Sequence, residues 1–169
     1  MSDKRFLVLL VLTACHRTPG PAVRGASPAP GDTVAEGTVR VIGPHESAQL
    51  VLSGVAPGIA LIGSLSGELR RLVGARVRVT GRAVRNPAAA PERAVEVAGY
   101  EILAVDGERP YVGIVTMRDA QIWLVGQDTL ELLGAPPDLA ARIGAKVFVT
   151  GTVQGGQLRL RSYGVIRDP

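Results

Sequence analysis

The chain has 169 residues, a formal net charge of +4, two histidines and one cysteine. So few cysteines and histidines exclude a disulfide framework and a cysteine- or histidine-rich metal site. Residues 1–14 contain Lys4, Arg5 and Asp3, so the remainder carries only about +3, and this charge is a weak argument for nucleic-acid binding.

The amino terminus has the layout of a secretory signal. Lys4 and Arg5 precede the short apolar run FLVLLVLTA, residues 6–14. A membrane-spanning helix needs about 20 apolar residues, so this run is too short to remain in the bilayer as a helix. A basic start, a short apolar core and small residues at its end are typical of a signal peptide.

The sequence LTAC that follows resembles the lipobox of bacterial lipoproteins. In that family the signal is cut before the cysteine, whose thiol carries a diacylglycerol and whose new amine is acylated. The resemblance implies that Leu12, Thr13 and Ala14 form the cleavage motif, that the chain is cut once between Ala14 and Cys15, and that Cys15 is lipidated. The alternative is that the apolar run forms a core strand and that Cys15 is a buried thiol.

Lipidation would leave the mature chain without a free thiol and would make the membrane its first partner. The residue after the cysteine is His16 rather than Asp. By resemblance to the sorting rule of enteric bacteria, this favours the outer membrane facing the periplasm, with the cell surface and the inner membrane as alternatives.

The composition divides the chain into four segments. Residues 1–14 form the signal peptide, and residues 15–34, which are rich in proline and glycine, form a disordered tether after the lipidated cysteine. The remaining residues are enough for one ordinary domain or two very small ones. We predict two domains, at 35–107 and 108–169.

An internal repeat supports two domains. VGARVRVTGRAV at 73–84 and IGAKVFVTGTVQ at 143–154 agree at six of twelve positions. QLVLSG at 49–54 matches QIWLVG at 121–126, and Tyr100 aligns with Tyr163 when a loop insertion near residues 86–91 is allowed. A duplication explains this self-similarity most simply.

Each copy shows three strand patterns, a short helical segment ending at Gly74 or Gly144, and two further strand patterns. This order is typical of the OB-fold, a five-stranded barrel. Both copies resemble small OB-like domains of unknown function in exported bacterial proteins, which carry a G-x-x-V-x-V-T-G strand. The predicted fold is therefore all-β, with two tandem OB-fold-like five-stranded barrels. The alternative is one continuous ten-stranded sandwich or barrel.

Period-two alternation assigns the faces of the strands. It places the Val77/Val79 and Val147/Val149 pairs inside, while Val51 and Thr150 fall on the outer face. Ile114, Trp123 and Phe148 become neighbours on one outer wall of the second copy. We expect this apolar patch to contact either the other domain or a protein or ligand partner.

A stripe of arginines on the first copy is the candidate for binding an anion. Its members are Arg76, Arg78, Arg82 and Arg85. They could bind nucleic acid, an anionic glycan or a lipid head group, or they could pair with carboxylates such as Glu92 and Glu96 in the next strand. The first copy has few aromatic side chains on which bases could stack beside the stripe, so we expect no nucleic-acid partner.

No catalytic constellation is predicted. His16 and His45 have no metal-binding or catalytic neighbours in the sequence, and no nucleophile elbow, phosphate loop or dinucleotide fingerprint occurs. We therefore expect no metal, no cofactor and no enzymatic activity. The sequence favours a lipid-anchored binding or structural module with an envelope protein as partner, and the alternative function is capture of an anionic ligand by the arginine stripe.

Overall fold

The computed structural model describes residues 32–44, 47–54, 57–88 and 91–169. The predicted signal peptide, Leu12, Thr13, Ala14, Cys15 and tether residues 16–31 lie outside these ranges, as does His45. Within them, no helix has the length and apolar character needed to cross a bilayer.

The first five strands and the first helix follow the order predicted for copy one. They are β1 (Asp32–Ile42), β2 (Gln49–Ser53), β3 (Ile59–Ile62), α1 (Ser66–Arg70), β4 (Arg76–Arg85) and β5 (Arg93–Ala104). We call them module 1. Strand β1 begins three residues before the predicted domain boundary, because the extended chain already pairs with β4 from Asp32 onward.

The second half repeats this order. Its elements are β6 (Tyr111–Arg118), β7 (Gln121–Gly126), β8 (Thr129–Leu133), α2 (Pro137–Ala140), β9 (Lys146–Gln154) and β10 (Gln157–Arg167). We call them module 2. The boundary predicted between residues 107 and 108 lies in the link between β5 and β6.

The ten strands of the described residues form two separate five-stranded sheets, each built from the strands of one copy. The predicted all-β tandem arrangement is therefore confirmed, and the alternative of one continuous ten-stranded sandwich or barrel is wrong. Each sheet closes on itself, in the orders β1-β2-β3-β5-β4 and β10-β8-β7-β6-β9. Strands β3 and β5, like β8 and β10, run parallel, and the other neighbours are antiparallel.

The predicted alternation of inward and outward side chains is confirmed in β4 and β9. Val77, Val79, Val147 and Val149 have no exposed surface. Two positions predicted to face outward are buried instead. Val51 is covered from the loop at Gly58, whose added Cβ would lie 3.1 Å from the valine side chain. The hydroxyl of Thr150 is hydrogen-bonded at 2.8 Å to the hydroxyl of Ser162.

The last glycine of the repeated strand motif has a structural reason. A Cβ on Gly81 would collide with the carbonyl oxygen of Glu96, and one on Gly151 would collide with that of Arg159. Both glycines lie where the register between neighbouring strands shifts. A side chain cannot fit where the two backbones approach so closely, so the glycine of the motif marks an irregularity in the pairing of two neighbouring strands.

Candidate functional site

The two modules are joined by apolar contacts made by the ends of three strands of module 2, β6, β9 and β10. Ile166, near the end of β10, is only 1% exposed and belongs to the core of module 1. Val112 and Phe148 also pack against that core. Module 2 thus completes the core of module 1 with its own side chains.

A charged cluster lies at the same junction. Glu68 on α1 accepts a hydrogen bond from the hydroxyl of Tyr100, and its Oε2 lies 2.8 Å from Lys146 Nζ. Its Oε1 lies 3.2 Å from an Nη atom of Arg167. Lys146 Nζ also lies 3.1 Å from the Tyr100 hydroxyl and 4.9 Å from the centre of the tyrosine ring. We call these four residues the Glu68 cluster.

The Glu68 carboxylate is deeply placed, with its side chain 10% exposed. Burial alone would raise its pKa, but hydrogen bonds from Lys146 and Tyr100 and the charges of Lys146 and Arg167 outweigh burial and lower the pKa below its usual value. Burial, followed by the hydrogen bond to Glu68, raises the pKa of Tyr100 far above its usual range. Glu68 is therefore a fixed anion and Tyr100 a fixed donor.

The duplicated modules share part of this arrangement. Asp138 on α2 accepts a hydrogen bond from the Tyr163 hydroxyl, as Glu68 does from Tyr100. The two acids lie 70 positions apart, as do the two copies of the strand motif at 73–84 and 143–154. The hydrogen bond from Tyr163 lowers the pKa of Asp138. Only the pair in module 1 is covered by the other module, so only that pair takes part in docking.

A second ionic contact joins the ends of the two short helices. Asp168, after β10, lies 2.7 Å from Arg71 and 3.1 Å from Arg142. Arg71 follows α1 and Arg142 follows α2, so one carboxylate bridges equivalent places in the two modules. These groups are about half exposed, and we assign them a smaller energetic role than the Glu68 cluster.

The docked modules enclose a cleft with a volume of about 760 Å³. Its apolar floor is formed by the buried side chains of Ile102, Pro110, Leu124 and Leu130. Its exposed rim carries Glu101, Arg109, Gln127 and Asp128, and its walls include Tyr100, Tyr111, Val112 and Lys146. The cleft therefore spans the end of β5, the link between the modules and the β7–β8 hairpin.

The predicted apolar patch is divided by the docking of the modules. Ile114 lies opposite Val125 and Lys146, whereas Trp123 lies opposite Thr116. Phe148 lies on β9, opposite Val112 of β6, and packs against the core of module 1. All three patch residues are half-buried, so Phe148 belongs to the junction and Ile114 and Trp123 remain on the outer wall.

The wall at Trp123 also holds two unsatisfied polar atoms. Trp123 Nε1 and Thr116 Oγ1 are buried and have no hydrogen-bond partner among the described residues. The two residues lie opposite each other on β6 and β7, and neither of them lines the cleft.

The arginine stripe lies on β4, and its upper part is paired with carboxylates on both neighbouring strands. Arg78 lies 2.6 Å from Glu36 on β1 and 2.7 Å from Glu101 on β5. Arg76 lies 3.7 Å from Glu36. An anionic ligand would have to compete with these carboxylates.

The lower part of the stripe reaches β5. Arg82 lies 2.8 Å from Glu96, one of the two carboxylates named from the sequence. Arg85 lies opposite Arg93 at the end of the β4–β5 pair. The stripe thus alternates with acids along most of its length.

Sequence reasoning missed the Glu68 cluster and the cleft. A usable signal was present, because Lys146 is the only lysine after Lys4 in an arginine-rich chain. Glu68 and Asp138 are also separated by 70 positions, the same displacement as the repeated strand motif at 73–84 and 143–154.

Within the described residues, no three histidine, cysteine or acidic side chains come together as a metal site would require. No known family, curated protein or solved structure matches the chain.

Proposed function

We propose that this protein is a lipid-anchored, non-enzymatic binding protein of the bacterial envelope, built from two OB-like barrels and anchored to the membrane through Cys15. The cleft between the modules is its binding site. The observation that carries the proposal is the fixed junction. Ile166 and the Glu68 cluster hold the two modules together while an open cleft with an apolar floor and a polar rim remains beside them.

The strand order supports the OB-like assignment. The first strand of each sheet lies between the second and the fourth, and a short helix connects the third and fourth. The resemblance at LTAC supports the lipid anchor, and the tether would carry the modules away from the membrane surface.

The state of the titratable groups supports a binding role. Glu68 and Lys146 are held as an ion pair, and Tyr100 keeps its proton. A general acid or base needs a pKa close to the working pH. The contacts of the cluster instead lower the pKa of Glu68 and raise the pKa of Tyr100, so both values move away from neutral pH. The three groups hold the modules together, and Tyr100 and Lys146 also line the cleft.

Site-specific photo-crosslinking in native membranes tests the binding site. A photoreactive residue replaces Gln127, an exposed residue on the cleft rim, and in a matched control it replaces Gln154, an exposed glutamine at the β9–β10 turn. We expect an adduct with an envelope component from position 127 only. No adduct from position 127, or the same adducts from both positions, would contradict the proposed site.

Mass spectrometry of the membrane-extracted protein tests the anchor. We expect a chain that begins at Cys15 and carries acyl groups, and we expect Cys15→Ala to abolish both the cleavage and the acylation. An unmodified chain that begins at Met1 with a free thiol would refute the lipid anchor and the localisation with it.

A further inference from the structure

We propose that the cleft between the modules binds a small zwitterion, a molecule with one anionic group, one cationic group and an apolar part. This inference rests on the proposed function, because it names the chemical class of ligand for the same cleft. Three properties of the cleft lead to it: the charges that are already paired, the two charges that are not, and the apolar surface beneath them.

Two of the four charged side chains that line the cleft already have partners in the protein. Lys146 lies 2.8 Å from Glu68, and Glu101 lies 2.7 Å from Arg78. A charged ligand gains little from either side chain, because it would have to displace a partner that the fold holds in place. Lys146 and Glu101 therefore shape the cleft and leave the binding of charge to the other two.

The other two charges are available to a ligand. Within the part of the chain that the structure describes, Arg109 and Asp128 form no ion pair, either with each other or with another side chain. Arg109 belongs to the link between β5 and β6, and Asp128 belongs to the turn between β7 and β8. Both are exposed. The rim thus presents one unpaired cation and one unpaired anion, carried by separate segments.

This combination favours a ligand with a charge of each sign. A guanidinium donates to a carboxylate or a phosphate, and a carboxylate accepts from an ammonium group. An anionic ligand is attracted by Arg109 and repelled by Asp128, and a cationic ligand meets the reverse. A neutral ligand gains neither attraction. A zwitterion is the one class that both side chains attract.

The surface beneath the rim favours an apolar part in the same ligand. The buried floor of the cleft is apolar, and the ring of Tyr111 adds to the walls. The volume of about 760 Å³ lies within the range of roughly 300–1,000 Å³ for small-molecule sites. A small zwitterion therefore fits with its apolar part on the floor and its charges at the rim.

Two kinds of molecule have this chemistry: short peptides with free amino and carboxyl ends, and phospholipid head groups that join a phosphate to an ammonium group. A peptide that adds a strand needs a free sheet edge, and both sheets here are closed. A peptide in the cleft must therefore be short and held by its charged ends. The experiment distinguishes the two sources.

Binding is tested with the full lipidated chain in a non-ionic detergent, so that the detergent contributes no charge. The zwitterionic probes are leucyl-leucine for the peptide source and glycerophosphoethanolamine for the head-group source. N-acetyl-leucyl-leucine lacks the cation, and leucyl-leucinamide lacks the anion. Saturation-transfer NMR detects binding, and a titration gives each affinity.

We expect at least one of the two zwitterions to bind. If leucyl-leucine binds, blocking either of its ends should lower the affinity about fivefold, since an ion pair in contact with water contributes about that much. Binding of leucyl-leucine alone assigns the ligand to peptides, and binding of glycerophosphoethanolamine alone assigns it to head groups. Either result supports the zwitterion site.

Two rim variants show which side chain recognises which charge. Arg109→Ala and Asp128→Ala should each weaken the binding of the zwitterion about fivefold. In Arg109→Ala, leucyl-leucinamide should bind no more weakly than leucyl-leucine, because the carboxylate has lost its partner. In Asp128→Ala, the same should hold for N-acetyl-leucyl-leucine. The control is Arg159→Ala, which changes an exposed arginine on β10 that does not line the cleft and should bind as the unaltered protein does.

Three results would overturn the inference. Neither zwitterion binds, the blocked peptides bind the unaltered protein as tightly as leucyl-leucine does, or both rim variants bind the zwitterion with unchanged affinity.

The crosslinking experiment separates this inference from the function on which it rests. If the zwitterions fail while position 127 still yields an envelope adduct, the ligand class is wrong and the binding function stands. If position 127 yields no adduct, the proposed function fails as well.

Discussion

Glu68 is the residue on which the junction depends most. It is an acid in a short helix, but its carboxylate binds one residue of its own module and two of the other. Removing one partner from a buried charged group costs more than the interaction contributes, because the other partners lose their counter-charge.

We therefore expect Glu68→Gln to lower the free energy of unfolding by about 1–3 kcal/mol. The matched control is Glu96→Gln, which breaks the exposed pair with Arg82 and should cost less than about 1 kcal/mol. Urea denaturation of both variants measures the difference. Equal losses in the two proteins would mean that Glu68 is no more important than a surface ion pair.

At the scale of the strands, the close approach of β4 and β5 at Gly81 excludes any residue with a side chain at this position. A Cβ there would collide with backbone atoms of β5, which cannot move without distorting the closed sheet. We expect Gly81→Ala to destabilise the protein by about 2 kcal/mol or more, as measured by thermal or urea unfolding.

Gly67 provides the control for this substitution. It lies in α1, is exposed, and has open space where a Cβ would be. Gly67→Ala should leave stability unchanged or raise it by up to about 1 kcal/mol, because alanine favours the helix. A Gly81→Ala protein as stable as Gly67→Ala would refute the close approach of the two strands.

The strands themselves could be predicted from the sequence because alternation at Val77, Val79, Val147 and Val149 is a local signal, and the repeat doubled it. The docking of the modules could not. Ile166 follows the pattern of its own strand, and nothing near it in the sequence shows that it enters the core of module 1.

The candidate site was missed for a related reason. Glu68 and Lys146 are 78 positions apart, so their contact depends on how two complete sheets are placed together. Phe148 was predicted as part of an outer patch with the other domain as one possible partner, and that alternative describes its position correctly.

At the scale of the whole molecule, the junction should weaken in acid. The folded state lowers the pKa of Glu68, so the stability it contributes is fully present above the pKa of the unfolded chain, near 4.5. That contribution is lost as the pH falls through the lower, folded-state pKa. The unaltered protein should lose more free energy of unfolding between about pH 6 and pH 3 than Glu68→Gln does.

Asp138 and Asp168 also have lowered pKa values, but they are present in both proteins, so their effects cancel in this comparison. Urea denaturation at several pH values measures the two profiles. Parallel profiles would show that Glu68 does not couple proton binding to folding.

The two modules form one body with a fixed cleft between them. Trp123 is the only tryptophan in the chain and lies in module 2, so its fluorescence reports on that module, whereas far-UV circular dichroism reports on the strands of both. During urea unfolding of the unaltered protein, the two signals should change together with one midpoint, as a single cooperative unit requires. Separate midpoints for the two signals would show that the modules unfold independently and do not form one body.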